Sequence, residues 1–158
     1  MRVNIVNVYS PCNLAGKRKL WEDLLNLIRG DNSEWCIGGD FNAILHLSER
    51  KGSSVATRRS EVNFFREFVD DMKLIDIPVL GKKFSWFTPY GKAMSRLDRF
   101  LLSEGFLKKN GAKGQWIGDR DISDHCPVWL LSLLCNWGPK PFRVINGRLE
   151  FPEFNDNK

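Results

Sequence analysis

Residues 3–9, Val-Asn-Ile-Val-Asn-Val-Tyr, constrain the fold more than any other part of the chain. In an extended strand Val3 and Ile5 point to one side, and Val6 and Val8 to the other. A strand that is apolar on both faces belongs inside a sheet with cover on both sides. An interior strand in a layered protein is therefore expected, and a chain that opens on one is unusual.

The remaining periodicity fills in the layers. Ser10-Pro11-Cys12-Asn13 reads as a turn. Leu20, Trp21, Leu24, Leu25 and Ile28 recur at three- and four-residue spacing, which predicts a helix over 17–28 with Gly30 as its stop. Residues 34–38 predict a short buried strand. Val62, Phe65, Phe68, Val69 and Met72 mark a second helix, with Ser60 as its N-cap candidate. Residues 74–80 read as a short strand or turn, and 84–87 as an aromatic strand closed by Pro89-Tyr90-Gly91. Further strands are predicted over 95–103 and 115–117, a short helix over 106–109, and a long buried strand over 126–134. Strands and helices mix without a regular βαβ rhythm, which favours a layered α/β sheet protein. One domain is expected over 1–135. Beyond it Gly138, Pro139, Pro141 and Gly147 give 136–158 the composition of a linker-like tail.

Composition narrows the function classes. The 158 residues are 42% apolar and 12% aromatic, enough for one packed core. Lys and Arg number 24 against 19 Asp and Glu, leaving a net charge of +5 and a pI near 9.1. That surplus suits an anionic partner such as nucleic acid without requiring one. Cys12, Cys36, Cys126 and Cys135 form no CxxC pair and no Cys/His ligand spacing, so neither zinc nor a disulfide framework is expected. The longest apolar stretch, 128–135, is too short to span a bilayer, and no signal-peptide pattern is present. The nucleus or cytoplasm is the expected location, not the exterior.

Three segments place proton- or phosphate-handling side chains beside apolar runs: Gly38-Gly39-Asp40-Phe41-Asn42, Ser95-Arg96-Leu97-Asp98 and Ser123-Asp124-His125-Cys126-Pro127. Asp40 can accept a proton from a water while Asn42 donates to a phosphate oxygen. The same tetrapeptide is also an ordinary Asx turn after a strand. His125 can orient or protonate a phosphate oxygen, and a neighbouring carboxylate would fix its tautomer and raise its pKa. Asp98 is the natural candidate, with a salt bridge to Arg96 or Arg99 as the alternative. Tyr9 can hydrogen-bond a phosphate or close a core edge. Arg50, Lys51, Arg58, Arg59 and Arg96 can track a phosphate backbone, and Trp86 can stack against a nucleotide. A solvated basic loop and an aromatic core strand are the plainer alternatives.

Asn7-Val8-Tyr9-Ser10-Pro11, Gly39-Asp40-Phe41-Asn42, Ser95-Arg96-Leu97-Asp98 and Ser123-Asp124-His125-Cys126-Pro127 stand in the order found in the endonuclease/exonuclease/phosphatase superfamily, which the chain resembles over nearly its whole length. The superfamily includes abasic-site endonucleases and DNase I-like nucleases. Trp35 to Asn42, Gly81-Lys82-Lys83-Phe84-Ser85-Trp86 and Trp137-Gly138-Pro139-Lys140-Pro141-Phe142-Arg143 look most like the endonuclease domain of plant LINE-type retrotransposons. The resemblance implies a four-layered α/β sandwich and Mg²⁺-dependent phosphodiester hydrolysis, with DNA as the family's partner. Carried over, Asp40 positions the attacking water and Asn42 helps hold it and the phosphate. Asp98 orients His125 on the scissile phosphate, Asp124 lies on the metal side, and Tyr9 contacts the phosphate. Family members also carry an earlier Asn strand and a strand ending in Gln-Glu, whose Glu is the principal metal ligand. Neither is among these residues. The resemblance therefore implies a C-terminal portion of the domain, weak or inactive alone, with an exposed sheet face. A non-catalytic nucleic-acid-binding module and a phosphoesterase of the same superfamily are the alternatives.

Overall fold

The computed structural model describes residues 2–52 and 59–132. A strand β1 (Val3–Tyr9) leads through helix α1 (Leu14–Ile28) to β2 (Glu34–Asp40), and the two strands pair in parallel. A short strand β3 (Arg50–Lys51) precedes helix α2 (Arg59–Asp71). Then come β4 (Leu74–Asp76), β5 (Val79–Gly81), β6 (Trp86–Phe87), β7 (Met94–Ser95), β8 (Asp98–Ser103), helix α3 (Glu104–Asn110), β9 (Ala112–Ile117) and β10 (Val128–Ser132). They form one sheet ordered β1-β2-β8-β4, a second ordered β10-β9-β5, and a small third ordered β3-β7-β6.

Side-chain alternation along β2 and β8 builds two cores back to back. Trp35, Ile37 and Leu101 face the helices, where Trp21 and Leu24 of α1 and Phe65, Phe68 and Val69 of α2 meet them. Trp21 stacks on Phe68 with ring centroids 4.6 Å apart. The helical spacing in the sequence predicts both helices but not their pairing. Cys36 and Leu102 point the other way and pack with Ile77, Phe106 and the half-buried Phe100 and Leu130 between the two larger sheets. The result is an α/β fold of two facing sheets with helices outside. Asn13 caps α1, its side chain accepting from Gly16 N–H at 2.7 Å.

Three sequence expectations change. β1 is an edge strand: among the described residues β2 alone pairs with it. Its Val6 and Val8 meet the helical core, but Ile5 is 78% exposed on the other side. The predicted strand over 95–103 is two strands in different sheets, because Arg96 and Leu97 carry the chain from β7 to β8. Of the predicted long buried strand, the described residues form β10 from Val128 to Ser132, with Trp129 and Leu131 exposed, since only one of its faces packs inward; 133 and 134 lie outside the described residues. The tail at 136–158 and the end of the predicted domain lie outside the described residues.

A buried ionic network joins the layers. Glu49 meets Arg96 at 3.0 Å and Arg99 at 2.8 Å; Asp76 meets the same two arginines at 2.7 and 3.1 Å. Gln115 of β9 donates to Asp76 at 2.9 Å and accepts from Phe100 N–H at 2.8 Å. Burial alone would push the Glu49 carboxyl up, but the charges and hydrogen bonds of Arg99 and Arg96 outweigh it and hold the group below its ordinary value. Arg99 is fully buried, so truncation leaves two carboxylates to share the single cation of Arg96. Arg99→Ala is expected to lower unfolding free energy by about 3–5 kcal/mol, measured by urea denaturation.

Candidate active site

The site begins with a pair of glycines. At Gly39 φ is 136°, and a Cβ there would collide with the Val8 carbonyl of the adjoining strand. A Cβ at Gly38 would meet the Phe100 ring. The two glycines line a cleft of about 340 Å³ together with Asn7, Asp98, Phe100 and Pro127, among others. β2 ends beyond them at Asp40. Register places Tyr9, Asp40 and Asp98 side by side on three adjacent strands, so their side chains share one face.

Asp40 is nearly buried and held by the turn that follows it. Asn42 N–H donates to Oδ1 at 2.8 Å, and the Asn42 side-chain amide donates to Oδ2 at 3.1 Å. Asn42 has φ 46°, the left-handed turn that asparagine tolerates. Its amide also donates to the Ser10 carbonyl at 2.8 Å, so both amide protons are engaged within the chain. The expected Asx turn and the expected functional pair are thus one structure: the turn aims Asp40. Burial pushes the Asp40 carboxyl above its ordinary value and Asp98 adds to the rise; Asn42 N–H, His125 and Lys17 oppose it.

Asp98 and His125 meet directly, with Oδ2 to Nδ1 at 2.8 Å. The alternative pairing with Arg96 or Arg99 does not occur, because both arginines bond Glu49 and Asp76. Burial draws the His125 pKa down, but the hydrogen bond and charge of Asp98, helped by Asp40 and Asp124, raise it on balance. One ligand atom from each of Asp40, Asp98 and His125 lies within 4.8 Å of the others. Two carboxylates with unused oxygen lone pairs meet the minimum that Mg²⁺ asks of a protein, the remaining ligands being waters or phosphate oxygens. Asp124, expected on the metal side, lies outside this set: its carboxylate accepts from the Trp86 indole N–H at 3.0 Å.

The other expected residues divide. Tyr9 is 82% exposed beside Asp40. Trp86 is half-buried against Ile44, Val62 and Leu97, and its indole N–H is bound to Asp124, so it is a structural support rather than an open stacking platform. Arg96, expected on a nucleic-acid surface, is buried in the ionic network instead. Arg50 is half-buried and donates to Ser95 at 3.0 Å, while Lys51 and Arg59 are exposed. Arg58 lies outside the described residues.

Two contributors carried no motif. Ser85 is fully buried; its Oγ accepts from Leu97 N–H at 3.0 Å and Asp98 N–H at 2.9 Å. Its carbonyl accepts from Cys126 N–H at 2.7 Å, and Trp86 bridges to His125. One serine therefore sets both the start of β8 and the segment bearing His125. A lone small polar residue between Phe84 and Trp86 was the available signal. Lys17 is the second, buried in the first turns of α1; burial lowers its pKa despite the nearby charges of Glu61 and Asp40.

With this geometry fixed, relatives can be compared. The family model for the endonuclease/exonuclease/phosphatase family matches residues 2–125. The chain belongs to that family. No curated protein matches it. Among solved structures it is similar to a 3′ phosphatase, NExo, from Neisseria bound to a product DNA hairpin, with a TM-score of 0.65 and 19% identity over 82% of this chain and 61% of that one. It is also similar to a beta toxin from Staphylococcus aureus, with a TM-score of 0.57 and 15% identity over 83% of this chain and 53% of that one. The chain thus spans about half to three-fifths of the length of these structures, and identities this low establish the fold alone.

Two outcomes follow for the family site. Ser85→Ala leaves two buried N–H groups unpaired and is expected to lower unfolding free energy by about 1–3 kcal/mol in thermal or urea denaturation. The raised His125 pKa makes its ion pair with Asp98 a low-pH stabiliser. That contribution is complete below the ordinary imidazole value of about 6.5 and is lost as pH rises through the raised value. The stability advantage of the native chain over Asp98→Asn should therefore shrink from about pH 5.5 to pH 9, as read by denaturant midpoints at each pH.

Proposed function

We propose that the chain is a metal-dependent phosphodiesterase module acting on DNA, from the endonuclease of a plant LINE-type retrotransposon, and that it is weakly active alone. The observation that carries the reading is the Asp98–His125 contact at 2.8 Å, set within 4.8 Å of Asp40 at the end of a glycine-lined cleft. The LINE origin is supported by Trp35 to Asn42 and the 81–86 segment; the supporting segment 137–143 lies outside the described residues.

The residues divide the work by protonation. Asp98 occupies His125 Nδ1, which leaves Nε2 to face a phosphate. The raised pKa favours the imidazolium, whose Nε2–H donates to a phosphate oxygen as negative charge builds there. Asp40, held by Asn42, accepts a proton from an attacking water through an oxygen lone pair that Asn42 leaves unused. A divalent ion held by Asp40 and Asp98 would supply further neutralisation of the phosphate. Weak activity follows from the small ligand set: two carboxylates, each already engaged by a neighbour, leave most of an octahedral shell to solvent.

Supercoiled plasmid nicking tests this. With Mg²⁺ and protein in excess, slow nicking is expected, lost with EDTA and reduced about 10²–10⁴-fold in His125→Ala. Equal nicking by the native chain and His125→Ala would contradict the catalytic reading. DNA binding with no metal-dependent nicking would favour the non-catalytic binding module.

A further inference from the structure

A groove of about 550 Å³ lies away from the cleft at Asp98, between the turn at Leu45–Ser48 and helix α2. Arg59, Asn63 and Arg66 recur on α2 at intervals of four and three residues and form one wall. His46 and Ser48 form the other, over an apolar floor that includes Leu45 and Val62. The polar groups lining the groove are two guanidiniums, an amide, an imidazole and a hydroxyl; no carboxylate is among its described lining residues.

The chemistry of one contact sharpens this. Arg66 Nη2 lies 2.9 Å from His46 Nδ1. A guanidinium offers donors only, so Nδ1 is the acceptor and the ring proton sits on Nε2. The imidazole therefore adds a donor of its own to the groove. Four other cations have acidic partners: Arg96 and Arg99 have Glu49 and Asp76, Lys82 has Asp119, and Lys108 has Glu104. Among the described residues, Arg59 and Arg66 have no carboxylate within salt-bridge distance. Five donor-bearing side chains facing one concavity, two of them cationic and without an acid, are complementary to a phosphate with two free oxygens.

We propose that this groove binds a backbone phosphate of a nucleic-acid strand, adjacent to the phosphate at the Asp40–Asp98–His125 cluster. The inference rests on the nucleic-acid reading above. Position supports it: His46 follows Asn42 by four residues, so their Cα atoms are at most about 15 Å apart. Arg59 and Arg66 are seven residues apart, about 10 Å along the helix axis. The chain that joins the turn at Asn42 to the groove thus spans no more than a few nucleotides' length. Arg66 and His46 act here in binding alone and take no part in the chemistry.

The test is fluorescence anisotropy of a labelled DNA hairpin with the whole chain in EDTA, where hydrolysis is silent. Arg66→Ala should raise Kd about tenfold, the weight of one charge-assisted hydrogen bond. It should also lower the slope of log Kd against log salt concentration by about one. Arg66→Lys should recover part of the affinity, and the thermal midpoint of each variant should match the native chain. Lys108→Ala, on α3, is the charge-matched control and should leave Kd unchanged. An unchanged Kd in Arg66→Ala, an equal loss in Lys108→Ala, or the same Arg66 dependence with heparin would each overturn the assignment. Binding is read in EDTA, without hydrolysis, so loss of nicking and loss of binding are separable: a chain that never nicks can still pass this test, and one that nicks can fail it.

Discussion

The hydroxyl of Ser85 accepts the backbone N–H groups of Leu97 and Asp98, while its carbonyl accepts Cys126 N–H. Asp98 and His125 are 27 residues apart in the chain, and nothing local brings them together. The serine fixes both backbones at once, and the 2.8 Å contact follows from that. Asp40 is placed differently, by strand register with Asp98 and by its own turn through Asn42. The site thus has two halves of unlike construction. One is built into a sheet, and the other hangs on a two-residue strand and a buried hydroxyl.

The ionic network beneath β8 keeps those halves in one frame. Arg96 and Arg99 flank Asp98 in sequence, but both turn towards Glu49 and Asp76. That leaves Asp98 to face His125 with neither of these guanidiniums competing for its carboxylate. A buried network of this kind gives little net stability relative to an apolar core. Its consequence here is specificity of arrangement: it sorts charges between two faces of the same strand. Glu49 takes part twice, since its carboxylate also accepts Leu45 N–H at 2.8 Å and so shapes the turn that carries His46.

Much of this was legible in the sequence where periodicity or motif order carried it. The helical spacing of Trp21, Leu24, Phe65 and Phe68 marked the two helices that pack on one sheet face, and four ordered motifs marked the family. β1 was misplaced because an apolar pattern on both faces says that burial is favourable, not that a neighbour is present to supply it. Arg96 read as a surface cation because its partners, Glu49 and Asp76, lie 47 and 20 residues away. Trp86 read as a stacking platform because indole donors look the same in sequence whether or not an aspartate meets them. The break at Arg96 and Leu97 had no propensity signal; tertiary pairing with two different sheets imposed it.

The most direct test of the central arrangement is the tautomer of His125, read by long-range ¹H–¹⁵N NMR with His46→Ala used for assignment. The geometry predicts a protonated Nδ1 with a strongly downfield, hydrogen-bonded proton that disappears in Asp98→Asn and weakens in Ser85→Ala. An Nδ1 without a proton, or a spectrum unchanged in both variants, would show that Asp98 does not hold His125.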